Sequence, residues 1–186
     1  MKKVFLTLAV VMMAMAANAQ VWMGGSFGFN SSKANENAKP VLTYSIAPEV
    51  GYTIAPRWDV AVGLSYAGEK STATLPIIGD VVAKESTIGV TPYVRYTAFD
   101  LGKVGFFIDA CFDYSQTFGT LNGESTGKTQ AIYAGLRPGV KFAASDKITF
   151  AARIGSFGYS KVIDGASNFG INVNNSAFTL GLWWAF

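Results

Sequence analysis

The 186-residue sequence contains no histidine and a single cysteine. Histidine is the side chain whose charge changes nearest neutral pH, so it is the commonest general base and the usual partner of serine and cysteine nucleophiles. Histidine and cysteine are also the main ligands of protein-bound zinc, and the sequence shows no calcium-binding loop spacing. The composition therefore predicts that the protein is not an enzyme, and it predicts no metal and no other cofactor.

Charged residues are also few, at 15% of the sequence, whereas half of the residues are hydrophobic. Soluble domains usually carry about 25% charged residues, so the shortage predicts that much of the surface does not face water. The net charge of +3 is small. The sequence has no cluster of basic residues of the kind that binds nucleic acid, so we predict no nucleic-acid partner. Cys111 has no second cysteine to pair with, and we interpret it as a small packed side chain.

Long apolar runs are confined to the beginning of the chain. After residue 20 no apolar stretch reaches the roughly 18 residues that predict a transmembrane helix. Before that point, two lysines precede an apolar run at residues 4–17, and Ala17-Asn18-Ala19 provides the small-x-small site that signal peptidase requires. We therefore expect residues 1–19 to be a cleavable Sec-type signal peptide and residues 20–186 to form the mature domain.

The mature part of the chain is organised by alternation with a period of two, as in Val60, Val62, Leu64 and Tyr66. This period is typical of β-strands, and eight such segments are present. Long polar connections alternate with short turns: the long ones are residues 31–41, 68–86, 118–129 and 160–173, and the short ones are residues 55–58, 99–102 and 143–146. Because transmembrane barrels have this layout, the pattern predicts an all-β protein, an eight-stranded antiparallel up-and-down transmembrane β-barrel.

Three prolines interrupt the predicted strands on their apolar face, namely Pro48, Pro92 and Pro138. A proline has no N–H to donate to a strand ladder, so it is unusual inside a central strand. We keep the strands and expect a bulge or a local bend at each proline.

The two faces of the strands differ in side-chain size. One carries Val, Ile, Leu, Phe and Tyr, whereas the other carries mainly Gly, Ala, Ser and Thr with a few charges. A soluble lipocalin-like barrel would place its apolar face inward and its polar face in water. Small side chains suit the narrow lumen of eight strands, so we expect the bulky face to contact lipid.

Aromatic residues gather near both ends of the strands, as expected where a barrel meets two membrane interfaces. The members near the short turns are Trp22, Tyr52, Trp58, Tyr96, Trp184 and Phe186. Those near the loops are Tyr44, Tyr66, Tyr114 and Phe118. The sequence therefore predicts two aromatic girdles.

Charged residues on the small face predict a structural network in the lumen, made of Glu49, Arg95, Asp109, Asp113, Arg137, Lys141 and Arg153. Four of these lie at similar distances from the short-turn end: Glu49, Asp109, Arg137 and Arg153. We expect these two acids and two bases to pair, because an unpaired charge in a narrow lumen is costly. Such a layer would stiffen and close the barrel, and the alternative is proton or ion passage.

Three stretches resemble a known family: Ala-Pro-Glu-Val-Gly-Tyr at residues 47–52, Val-Thr-Pro-Tyr-Val-Arg-Tyr at residues 90–96, and Leu-Gly-Leu-Trp-Trp-Ala-Phe at residues 180–186. Through them the chain resembles the outer-membrane β-barrel domain family, of the small OmpX and OmpA-transmembrane type. The resemblance implies a place in the bacterial outer membrane, among its lipids and lipopolysaccharide. It also implies that the barrel-assembly machinery recognises the last strand, with Leu182, Trp184 and Phe186 as the assembly signal.

We therefore expect an integral outer-membrane barrel that is structural or binds an extracellular partner through its long loops. A small channel or transport barrel is the second hypothesis, and a soluble lipocalin-like ligand carrier is the third. Catalysis by Asp113 with Ser115 or Thr117 is conceivable, but Ser and Asp often share a strand face without acting together.

Overall fold

The structure is a computed structural model that describes residues 21–32, 39–75, 79–173 and 178–186. The predicted signal peptide, residues 1–19, lies outside the described residues and stays a prediction. The described residues form ten strand segments: β1 (Val21–Ser32), β2 (Val41–Ala55), β3 (Trp58–Leu75), β4 (Gly79–Leu101), β5 (Val104–Leu121), β6 (Glu124–Ala143), β7 (Ile148–Ile154), β8 (Ser156–Val162), β9 (Ser167–Asn172) and β10 (Phe178–Ala185).

Neighbouring strands pair antiparallel into a closed ring. Each of β1 to β5 pairs with the next strand, β6 pairs with β7, and β10 joins β7 to β1. At the level of the short turns the ring therefore consists of eight strands, β1 to β7 and β10. The prediction of an all-β antiparallel barrel is confirmed. Within the described residues there is no helix long and apolar enough to cross a membrane.

Two further strand segments, β8 and β9, lie on the loop side of the eight-stranded ring. Gly155, whose φ of 79° favours glycine, separates β7 from β8. β7 pairs with β6 and β10 near the short turns, whereas β8 pairs with β6 and β9 nearer the loops. Along β6 the partner changes from Arg153, opposite Gly139, to Phe157, opposite Leu136. The chain thus advances three residues along β6 but four residues from β7 into β8, so the β7–β8 side contains a bulge opposite Pro138.

The other two prolines leave the register unchanged, so neither lies at a bulge, one of the two expected distortions. Pro92 pairs with Val62 of β3, while the β4–β5 pairing resumes at Tyr93 after two unpaired residues without a shift. Pro48 likewise pairs with Gly25 of β1, and the β2–β3 pairing passes over it. Each proline has no N–H to donate, so it lacks one ladder hydrogen bond and remains paired with only one of its two neighbouring strands.

The alternation places the bulky face outside the barrel. On β5, Phe106 and Ile108 are 36% and 41% exposed, whereas Phe107 and Asp109 are each 1% exposed. Apolar side chains of this size, exposed all round a closed ring, fit lipid as the surrounding medium. A soluble carrier would show the opposite arrangement, with the apolar face enclosed.

Most residues of the predicted girdles lie on this outer face. Trp58 packs against Tyr96 with ring centroids 4.7 Å apart near the short turns, and Tyr44 lies 6.0 Å from Tyr66 near the loops. The prediction that Trp22 belongs to the short-turn girdle is wrong, because Trp22 is only 9% exposed and packs inside the barrel. Its position on the small face of β1 directs its side chain into the lumen.

Two predicted long loops are largely strand. β3 and β4 remain paired as far as Leu75 and Gly79, and β5 and β6 as far as Leu121 and Glu124. Asn122 and Gly123, with φ of 51° and 91°, form the tight turn that joins β5 to β6. The predicted loop at residues 160–173 contains the β8–β9 hairpin. Residues 33–38 of the first predicted loop lie outside the described residues.

Candidate functional site

A layer of four charged side chains crosses the lumen, and Arg153 of β7 lies at its centre. Arg153 Nη1 and Nη2 donate to the two carboxylate oxygens of Glu49 at 2.7 and 3.0 Å, and its Nε donates to Asp109 Oδ2 at 2.8 Å. The β2 and β5 strands that carry the two acids lie on different sides of the ring. A single guanidinium therefore bridges the lumen, using the planar set of donors that distinguishes arginine from lysine.

Arg95 of β4 completes the layer. Its Nε and Nη2 donate to Oδ1 and Oδ2 of Asp109 at 2.7 and 2.9 Å, a bidentate pair. Asp109 thus accepts from two arginines, and its side chain is 1% exposed. With Glu49 and Arg153, the layer contains two carboxylates and two guanidinium groups, so its formal charge sums to zero.

Four aromatic rings surround these charges: Trp22, Tyr93, Phe107 and Trp183. The Arg95 guanidinium carbon lies 3.9 Å from the centre of the Phe107 ring and 5.0 Å from that of Trp183. Tyr93 donates its hydroxyl to Glu49 Oε2 at 2.5 Å, and Trp183 Nε1 donates to the same oxygen at 3.4 Å. Rings and charges together form a desolvated unit in which cation–π contacts supplement the ion pairs.

The structure places Arg137 outside this layer, which corrects the expected set of four. Arg137 donates to Asp113 on the loop side, and the two side chains are 28% and 19% exposed. Asp109 lies opposite Arg137 in the β5–β6 register, but its carboxylate already accepts from Arg95 and Arg153. Arg137 therefore turns toward the nearest acid with free capacity.

Lys141 lies on the other side of the layer, near the short turns. Its ammonium donates to Thr97 Oγ1 at 3.0 Å and lies 3.6 Å from Asp100 Oδ1. The seven predicted lumen charges thus divide into three groups along the barrel axis: the central layer, the Arg137–Asp113 pair above it and Lys141 below it.

The sequence interpretation missed the aromatic part of the site. Three of the rings face a glycine across the strand ladder: Trp22 is opposite Gly51, Trp183 opposite Gly24, and Phe107 opposite Gly139. A Cβ built on any of these glycines would overlap the ring beside it. An aromatic residue on the small face whose ladder partner is glycine is thus a signal that could have located the rings, because a glycine lets the ring lie flat on the wall.

Gly51 allows a test of this packing. Replacing Gly51 with alanine is expected to destabilise the barrel by about 1–3 kcal/mol, since the new methyl group overlaps the Trp22 ring. Denaturant unfolding of the barrel in detergent measures the change. Gly63→Ala is the matched control, because a Cβ there would lie 3.5 Å from its nearest neighbour, an ordinary contact. Equal losses in the two variants, or a Gly51→Ala loss that persists with Trp22→Leu, would contradict the packing account.

The layer separates two cavities of the lumen. The cavity on the loop side has a volume of about 370 Å³, and Glu49, Tyr93 and Arg153 lie at its floor. The cavity on the short-turn side has a volume of about 220 Å³ and is lined by Trp22, Arg95 and Trp183, among others. The two lining sets share none of the described residues.

Comparison with known proteins agrees with this geometry. The chain matches the outer membrane protein beta-barrel domain over residues 4–186. The chain belongs to this family. Membership indicates the bacterial outer membrane as its location, as the resemblance implied. No curated protein matches the chain.

Solved structures of small outer-membrane proteins are similar in fold to this protein. Neisserial surface protein A (NspA) is 15% identical, with a TM-score of 0.52 over 91% of this chain and 98% of that one. Ail, the attachment invasion locus protein of Yersinia pestis, is 14% identical, with a TM-score of 0.48 over 90% of this chain and 97% of that one. At these identities the similarity to NspA establishes the fold alone.

Proposed function

We propose that the protein is a structural and surface-binding outer-membrane barrel whose lumen is closed to ions. The observation that carries the proposal is the neutral layer of Glu49, Arg95, Asp109 and Arg153, packed among aromatic rings between two separate cavities. An eight-stranded lumen is only wide enough for side chains to fill. An ion would have to break a buried bidentate pair to pass, which is far costlier than disturbing an exposed one.

The proposed binding region is the wall formed by β3 to β6 on the loop side. These strands continue well past the Tyr44–Tyr66 girdle contact, whereas β8 ends at Val162 and β9 begins at Ser167. Rigid strands that extend beyond a membrane can hold short connections in a fixed position for a partner. The structural and binding roles require no catalytic step, so we propose no enzymatic activity.

The proposal also includes the route to the membrane and the surroundings of the barrel. Residues 1–19 would direct Sec-type export, and the barrel-assembly machinery would insert the mature chain. Outer-membrane lipid and lipopolysaccharide would then contact the exposed apolar face.

Conductance across a planar bilayer tests the closed lumen. The unmodified barrel is expected to give no stepwise current, and the double variant Glu49→Ser/Arg153→Ser is expected to raise the current because water and ions enter the emptied layer. Asp100→Ser/Lys141→Ser is the matched control, since that pair lies outside the layer. Regular current steps through the unmodified protein would replace the proposal with the channel hypothesis.

A further inference from the structure

The outer face of the β3–β4 hairpin carries two like charges at directly opposite ladder positions. Lys70 of β3 lies opposite Lys84 of β4, and both side chains are exposed. Like charges directly opposite each other destabilise a strand pair. Within the described residues neither lysine forms an ion pair. An anion that binds both ammonium groups would relieve this repulsion.

A hollow of about 410 Å³ lies at this position. Its lining combines the two ammonium groups with a hydroxyl, from Thr120, and a side-chain amide, from Asn122. Thr120 is the ladder partner of Lys84, and the Asn122 side-chain oxygen accepts the Val82 N–H at 2.8 Å, which fixes the amide in place. These are the donor types that bind phosphate oxygens.

The hollow faces the lipid side of the wall at the height of the headgroups. Lys70 is four residues beyond Tyr66 on the same outer face, and Tyr66 belongs to the loop-side girdle. Four residues of a tilted strand rise about 10 Å, which leads from the edge of the hydrocarbon into the polar layer. Lys161, two residues beyond the exposed Tyr159, and Lys128, opposite Phe118, share this outer face.

The two acidic residues next to the lysine pair lie on the other face of the hairpin. Glu69 and Glu85 are ladder partners that alternate with Lys70 and Lys84, so they point away from the hollow. At this level the outer face of the described β3 and β4 residues is therefore cationic.

We propose that the Lys70–Lys84 hollow binds a phosphate group of a phosphorylated glycolipid in the outer leaflet. The proposal rests on the proposed placement of the barrel in the outer membrane. A lipid headgroup fits better than a soluble anion, because the two ammonium groups face outward from the wall directly above the aromatic girdle, where lipid headgroups are concentrated. Binding would neutralise the Lys70–Lys84 repulsion, and Thr120 and Asn122 would donate to the remaining phosphate oxygens.

Retention of lipid A by the purified full-length mature barrel tests the proposal. Native mass spectrometry in detergent measures the fraction of barrel carrying lipid A during a titration, with dephosphorylated lipid A and inorganic phosphate as separate arms. Lys70→Gln/Lys84→Gln is expected to weaken lipid A retention at least several-fold. The matched control is Lys103→Gln/Lys147→Gln, two exposed lysines at the short-turn end, and it should retain lipid A like the unmodified protein.

Lys84→Glu separates binding from a merely structural effect. A glutamate opposite Lys70 replaces a repulsive pair with an attractive one, so this variant should lose lipid A retention while unfolding in lipid-free detergent at the same or a higher denaturant concentration. Equal retention of the dephosphorylated lipid, competition by inorganic phosphate as effective as the lipid itself, or equal losses in the control variant would each overturn the proposal. A barrel that conducts ions yet loses lipid A with the Lys70 and Lys84 changes would overturn the closed lumen instead and leave this site standing.

Discussion

Replacing Arg153 with methionine is expected to destabilise the folded barrel by about 3–5 kcal/mol, because the change leaves one buried carboxylate without an arginine partner and removes a donor from a second. Glu49 would lose both of its arginine hydrogen bonds, and Asp109 would lose one of three. The two acids are 8% and 1% exposed, so water replaces the lost donors poorly. Equilibrium unfolding by denaturant in detergent or lipid vesicles gives the free energy of unfolding.

A double-mutant cycle shows whether this loss comes from the layer itself. Glu49→Gln/Arg153→Met should be less destabilised than the two single changes predict together, since removing both partners leaves no stranded charge. Arg137→Met is the matched control, because Arg137 pairs with a single acid and both side chains are more exposed than those of Arg153, Glu49 and Asp109. Additive effects at Glu49 and Arg153, or a loss for Arg137→Met as large as for Arg153→Met, would mean that the layer is not a coupled unit.

Deleting Phe186 is expected to remove most of the assembled barrel from cells while changing the free energy of unfolding in detergent by less than about 1 kcal/mol. The Phe186 side chain is 44% exposed on the lipid face, and its N–H donates to the Val21 carbonyl at 3.2 Å. Little packing inside the barrel depends on it, so a large effect in cells would arise from recognition of the last strand during assembly. Heat-modifiable mobility on gels of outer-membrane fractions measures the assembled protein.

Phe150→Ser provides the control for a simple lipid contact. Phe150 is 47% exposed on the outer face of β7, opposite Leu182 of β10 in the ladder. It therefore resembles Phe186 in surroundings but lies in β7, outside the predicted assembly signal. If Phe150→Ser lowered the assembled barrel as much as the Phe186 deletion, Phe186 would be a lipid contact and not an assembly signal.

The barrel and its membrane-facing side could be predicted because they depend on local patterns. Alternation of bulky and small residues is visible within a few positions, and a strand cannot slip by one residue without exchanging its faces. The short turns were predictable to within a few residues for the same reason, since each follows an alternating segment; the one predicted at residues 99–102 lies at residues 102–103, because β4 continues to Leu101. The extension of β3 to β6 was not, because Ser, Thr, Lys and Glu on both faces give the same composition as a loop.

Partner choice in the lumen could not be predicted, because it depends on the whole ring. Glu49 and Arg153 are 104 residues apart in sequence, and their heights compare only once the tilt and stagger of every intervening strand are known. Heights estimated by counting residues from the adjacent turns place Arg137 in the charged layer and leave Arg95 out of it. Asp109 has an arginine opposite it on each adjacent strand, Arg95 and Arg137, and in the structure its carboxylate accepts from Arg95 and from Arg153.

The junction between β1 and β10 has a consequence for the order of events during folding. Within the described residues it pairs residues 22–25 with residues 182–185, while β3 pairs with β4 along its whole length. Among the described ladders of the ring it joins the strands that lie furthest apart in sequence, so its loop-closure entropy is the largest. Hairpins such as β3–β4 can form independently of the rest of the chain, but the barrel cannot close until β10 is in place. Pairing of β10 is therefore the last step in closing the barrel. Until then β1 and β7 are unpaired edge strands, which can pair with another strand.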